Sequence, residues 1–262
     1  MTESTLFTTA FALYAGALVG YSASLFARRE RWAGGGLVLA VIGFCSHTAA
    51  LILRTAASGH APFTNMYESL SFLSWAIVLA LIIFGRKPLG PRLGPYLMLI
   101  VVALVALASS PLMPKGAVPL VPALQSYWLW LHVSVTLLGE AFFAVAFVAS
   151  FLFLAAASEE KKERLDALAY RAVAVGFPLF TLGGLIFGMV WAYRAWGRYW
   201  AWDPKEVWSL VTWLVFALYL HTRVVLGWKG KRSAIIAIVG FLAALFTYFG
   251  VNYLLAGLHS YA

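Results

Sequence analysis

The sequence is poor in charge and nearly devoid of cysteine, and both scarcities narrow what it can be. Charged residues make up 11% of its 262 positions and hydrophobic residues 63%. That is too little polar surface for a water-soluble domain of this size, so the chain is assigned to a bilayer. The single cysteine, Cys45, excludes an internal disulfide and a metal-binding cysteine cluster. No Walker loop and no Ser/His/Asp set is present, which leaves out P-loop nucleotide chemistry and triad acyl transfer. The apolar runs lack the alternation of every second residue that barrel strands require, so the fold class is an all-α integral membrane protein. The start MTESTLFTTA has no basic region, so no cleavable signal is expected and the first apolar run is retained as a helix.

A hydrocarbon core about 30 Å thick needs roughly 20 apolar residues per helix. The sequence supplies about eight such runs, expected at residues 7–27, 34–53, 69–85, 95–110, 128–156, 171–191, 207–227 and 233–254. No internal repeat or low-complexity linker interrupts them, so residues 1–262 read as a single polytopic domain. The hydrophilic stretch Ser158 to Asp166 reads as a solvated connection rich in helix-forming Glu and Lys.

The formal net charge of +9 does not point to nucleic acid, because the basic residues sit in short loops beside apolar runs. Sorted by loop, 14 fall on one side and five (Arg54, Lys115, Arg194, Arg198 and Lys205) on the other. The excess of Lys and Arg marks the cytoplasmic side, which puts both termini outside. The outer face then carries the loop from Arg54 to Tyr67, the Pro-rich loop from Pro111 to Gln125, a Trp-rich loop and the C-terminal Gly257-Leu258-His259.

Six of the eleven tryptophans lie between Trp191 and Trp213, more than anchoring one helix end at an interface requires. Trp196, Trp200 and Trp202 gather around Gly197 and offer flat apolar faces suited to a macrocycle such as porphyrin. Arg194 and Arg198 are placed to meet its propionates. Asp203, Pro204 and Glu206 read as N-cap, N1 and N3 of the following helix. Asn65 and Glu68 repeat the capping pattern.

The stretch from Trp196 to Glu206, WGRYWAWDPKE, resembles the WWD signature of haem-handling proteins of cytochrome c maturation, and the pattern is most similar to the CcsA/ResC family of system II. GHAPFTNMYESLSFLSW from Gly59 to Trp75, LQSYWLWLHV from Leu124 to Val133 and FGVNYLLAGLHSYA from Phe249 onward carry the same resemblance. It spans roughly residue 54 to the end, with the WWD segment at 191–213.

The resemblance implies that two extracytoplasmic histidines, here His132 and His259, are axial ligands to the iron of a non-covalently held haem b. Trp196, Trp200, Trp202, Arg194, Arg198 and Asp203 would complete its binding segment, Asp203 mainly as the cap. It also implies a transmembrane histidine after the loop, matching His221, for a possible second haem. The expected partners are a CcsB/ResB-like membrane subunit and apocytochrome c bearing Cys-x-x-Cys-His, a motif this chain lacks. The membrane would be the bacterial cytoplasmic membrane or one of thylakoid type. Haem export to a separate carrier, as in CcmC-type proteins, is the alternative function, and a cytochrome b-type redox role fits the two histidines at one surface poorly.

Of the remaining ionisable groups, His47 has no recognisable motif around it. His60 reads as exposed loop structure, and Glu140 as a helix-packing carboxyl. Asn252 lies seven residues before His259, on nearly the same face if the last helix continues that far.

Overall fold

The computed structural model describes residues 2–27, 29–85, 89–113, 115–116, 120, 122–255 and 257. They are helical with no strand among the described residues, and eight helical segments are long and apolar enough to cross a membrane. The chain divides into two compact units, Met1–Val118 and Pro119–Ala262.

The first unit contains α1 (Glu3–Ala27), α2 (Glu30–Ser58), α3 (Met66–Phe84) and α4 (Gly90–Ser109). The buried face of α1 is Phe7, Ala10, Tyr14, Ala17, Tyr21 and Ser24; that of α2 is Ala33, Gly36, Ala40, Gly43, His47, Ala50 and Arg54. Both sets step by three and four residues, the heptad seam of left-handed helix packing, and small residues let the backbones approach where lipid supplies no hydrophobic drive. Asn65 caps α3 as its sequence predicts, its side chain accepting from Glu68 N at 2.9 Å.

Arg54, His47 and His60 are each paired inside this unit. Arg54, expected among the outer-loop cations, is buried and donates to Glu68 Oε1 at 2.9 Å and to the Lys115 carbonyl, with Glu3 at 3.6 Å. His47 is fully buried, with Ser71 Oγ at 2.8 Å from Nε2 and Tyr14 Oη at 3.3 Å from Nδ1. His60 is buried too, at 8% exposure, which corrects the reading of an exposed loop residue; its Nδ1 donates to the Ala61 carbonyl.

In the second unit, α5 (Tyr127–Ala155) lies against α6 (Glu159–Phe180). A π-helical turn (Thr181–Phe187) joins α6 to α7 (Gly188–Trp196), making one continuous segment of 38 residues. α8 (Pro204–Val224) follows the aromatic loop; then come α9 (Lys231–Leu245), a second π-helical turn (Phe246–Gly250) and the single turn α10 (Val251–Leu254). The core is aromatic: Phe143 stacks on Phe216 with centroids 3.6 Å apart, and Phe180 and Phe241 are buried in the same unit.

Ser158 to Asp166 is not merely a connection, since α6 begins at Glu159. Asp166 accepts from Arg223 at 2.8 Å and from the Gly230 backbone at 2.9 Å. That fixes the α8–α9 turn on α6. The sequence gives no local sign of this pairing because its partners are 57 and 64 residues away.

Gly139 and Gly183 bring α5 and the α6–α7 segment to backbone contact. A Cβ at Gly183 would stand 2.3 Å from Thr136 N, and one at Gly139 2.8 Å from Phe180 N. Gly183→Ala is therefore expected to destabilise the protein by about 1–3 kcal/mol through overpacking against backbone. Gly35→Ala, where added carbon meets open space, should be neutral or better. Thermal unfolding in detergent of the two variants checks the contrast.

Candidate functional site

One end of the second unit gathers most of the sequence-predicted residues. α5 starts from Ser126, whose hydroxyl accepts from Trp128 N, and six residues later presents His132. The His132 Nδ1 lies 2.8 Å from the Gly183 carbonyl. A carbonyl only accepts, so Nδ1 carries the proton, and in a neutral ring the lone pair is then on Nε2, the atom suited to a metal. Gly183 belongs to the π-helical turn, and its carbonyl also accepts from Gly188 N. Gly188 leaves room for the ring: a Cβ there would lie 3.0 Å from His132 Nδ1. π-helical turns place backbone groups out of the ordinary helical register, which is why they recur at functional positions.

The wall beside the histidine is indole. Trp191 lies nearly parallel to His132, 7° between planes and 5.8 Å between centroids. It is fixed by its Nε1 donating to Ala123 O at 3.0 Å, and Trp196 meets it edge-on at 4.8 Å. α7 ends at Gly197 with φ +74°, the left-handed cap that lets the loop leave the helix axis.

Arg194 in the last turn of α7 and Arg198 just after Gly197 are exposed, and neither forms an ion pair among the described residues. Trp200 and Trp202 meet edge to face at 5.8 Å. Trp200 Nε1 is buried with no acceptor among the described residues. Trp202 is 72% exposed and holds φ at +58°, a left-handed conformation that costs a bulky residue on the order of 1–2 kcal/mol. A free donor, outward cations, flat aromatic faces and an oriented imidazole together fit a planar apolar ligand with anionic edges.

Asp203 caps α8 as the sequence predicts. Its Oδ1 accepts from Lys205 N at 3.0 Å, while Glu206 Oε2 accepts from Ala201 N at 2.7 Å and Asp203 N at 3.2 Å. Sequence reasoning missed the inward role of Lys205, whose Nζ donates to Asn252 Oδ1 at 2.8 Å. It also missed that α10 stops at Leu254, with Leu255 extended. Asn252 and His259 therefore do not share a continuous helical face, and His259 lies outside the described residues. His221 sits in the last turn of α8, far along the helix from the aromatic loop, and is exposed. Glu140 is buried within electrostatic reach of Lys205.

Residues 63–259 match the family model described as cytochrome C assembly protein. The chain belongs to that family. Similar proteins within it include CcsA proteins: the cytochrome c biogenesis protein CcsA of Chlamydomonas reinhardtii is 44% identical over 80% of this chain and 64% of its own length. That of Synechococcus sp. (strain CC9902) is 40% identical over 82% of both, and that of Guillardia theta 39% identical over 82% and 81%. The chain thus spans just under two thirds of the algal relative's length. Among solved structures, the cytochrome c haem lyase CcmF shares the fold at a TM-score of 0.74 and 19% identity, covering 95% of this chain and 47% of that one. In this cytochrome C assembly family member the WWD segment falls wholly inside the matched region.

If Asp203 is chiefly a cap, Asp203→Ala should cost about 0.5–2 kcal/mol and Asp203→Asn much less. The order of their unfolding midpoints in detergent checks this, and equal losses for the two would contradict it.

Proposed function

We propose that this membrane protein of cytochrome c biogenesis holds haem b at the extracytoplasmic face, between His132 and His259. From there it would present haem for attachment to the Cys-x-x-Cys-His of apocytochrome c, with a CcsB/ResB-like subunit as partner. The observation that carries this reading is the Nδ1–H bond from His132 to Gly183 O, which orients an imidazole beside the Trp191–Trp196 wall. A second imidazole from His259 would give bis-histidine ligation, steady in either oxidation state and without an open position for oxygen. The bound haem would supply the vinyl groups that receive the apocytochrome thiols. The protein's share is positioning, propionate binding by Arg194 and Arg198, and exclusion of water by the tryptophans. Extracytoplasmic placement rests on the 14-to-5 distribution of basic residues.

His221 supports a partner subunit. It lies on an outward stripe of α8 with Leu214, Leu218 and Val225, all more than half exposed. An ionisable side chain on such a face is costly in lipid and is accommodated by a neighbouring protein surface, where it would serve a second haem.

Purified with a CcsB-like subunit, the wild type should show low-spin bis-histidine haem, and His132→Ala and His259→Ala should each lose most of it. Undiminished haem in the double variant would overturn the ligand assignment. Replacing Trp196, Trp200 and Trp202 by Leu should weaken haem retention while leaving membrane insertion intact. Co-expression with an apocytochrome, read by staining for covalent haem, tests presentation; haem delivered only to a separate carrier would favour export instead.

A further inference from the structure

The C-terminal segment that leads to His259 is tied to the start of α8 at two points. Gly257 packs so closely on the cap that a Cβ there would lie 2.5 Å from Asp203 Oδ2 and 3.1 Å from Pro204 Cδ. Five residues earlier, Asn252 is 2% exposed; its Oδ1 accepts from Lys205 Nζ at 2.8 Å, and its Nδ2 donates to Tyr248 O at 2.6 Å. Because a carbonyl only accepts, the Tyr248 contact fixes which way the Asn252 amide faces, so its oxygen is turned to the lysine.

The lysine is oddly placed for stability alone. A cation in the first turn of a helix opposes the positive end of the helix dipole, and this one reaches inward. Glu140 and Asp203 are the carboxyl groups within its electrostatic reach. Glu140 is 7% exposed, and Lys205 is the cation within electrostatic reach of it. Glu140 stands eight residues beyond His132 on α5, roughly 12 Å along the same helix.

We infer that Lys205 is a positioning residue joining the supports of the two histidines: Glu140 on the helix of His132, and Asn252 on the segment leading to His259. It acts through these contacts and touches no reacting atom. From Gly257 the chain has two residues, at most about 7 Å, in which to reach His259, so the depth at which Asn252 and Gly257 are held limits where the second imidazole arrives. The inference rests on the bis-histidine reading above for its purpose, although the tether itself does not.

The test uses the full chain with a CcsB-like subunit. In a Cys45→Ser background with Ser260→Cys, a membrane-impermeant maleimide reports access to the C-terminal segment independently of haem. Removing Lys205 alone would leave the buried Asn252 Oδ1 without its donor and Glu140 without its neighbouring cation, so the informative variants are the neutral pair Glu140→Gln/Lys205→Met and the single Asn252→Leu. Both should label roughly tenfold faster, the change expected on losing a charge-assisted hydrogen bond. Both should also shift the low-spin haem spectrum and its midpoint potential while accumulating in the membrane. Unchanged labelling in both variants overturns the tether. Faster labelling with an unaltered haem spectrum overturns its role in placing the ligand. If His132→Ala and His259→Ala retain bis-histidine haem, the ligand assignment fails, and the labelling result still decides the tether.

Discussion

α5 and the continuous α6–α7 segment approach to backbone contact at their glycines, and the geometry of the aromatic end follows from that closeness. Gly139, Gly176 and Gly183 leave no room for a Cβ at the contact. The approach brings the Gly183 carbonyl to His132 Nδ1, and through His132 it sets the parallel seat on Trp191. A Cβ at any of these glycines would force the two helices to shift at their contact. The π-helical turn at 181–187 belongs to the same arrangement. It presents a carbonyl to a side chain on α5, and Thr181, at its start, accepts from Trp213 Nε1 at 2.9 Å, anchoring the turn to α8.

In a bilayer, unsatisfied polar groups cannot turn to water, so buried ones must find each other. The two units meet this demand separately. In the first, Arg54 is surrounded by Glu68, Glu3 and the Lys115 carbonyl, and His47 by Ser71 and Tyr14. In the second, Asp166 takes Arg223 and the Gly230 amide, and Lys205 lies among Glu140, Asp203 and Asn252. Charge spent in this way fixes register between helices whose apolar surfaces resemble lipid.

What the sequence discloses is what is local. Span positions follow from uninterrupted apolar runs, and the caps at Asn65 and Asp203 follow from side chains acting within four residues of themselves. Glu68 shows the limit. Its place at N3 is legible, but its carboxylate takes Thr64 N and Arg54, and the second partner lies 14 residues back in another helix. The same holds for Lys205 with Asn252, 47 residues apart. Neither π-helical turn has a local signature, since TLGGLIF and FTYFG read as ordinary apolar helix with glycine. The inward or outward aim of His221 and His60 depends on which neighbours cover them. The WWD segment was readable because its chemistry is concentrated in a few consecutive residues. The arrangement of His132 on Gly183, across 51 residues, was not.

The 38-residue run from Glu159 to Trp196 is roughly 57 Å long at 1.5 Å per residue, nearly twice the hydrocarbon thickness. Its surplus lies at the Glu159 end, where the first two turns are charged and tolerate water or headgroups equally well. A thicker or thinner bilayer would therefore be accommodated at that end. The carbonyl that holds His132 sits two thirds of the way along, in the apolar stretch, and keeps its station. Such a helix acts as a float with its ballast at one end: lipid composition can change how much of the charged foot is submerged without altering the attitude of the aromatic head.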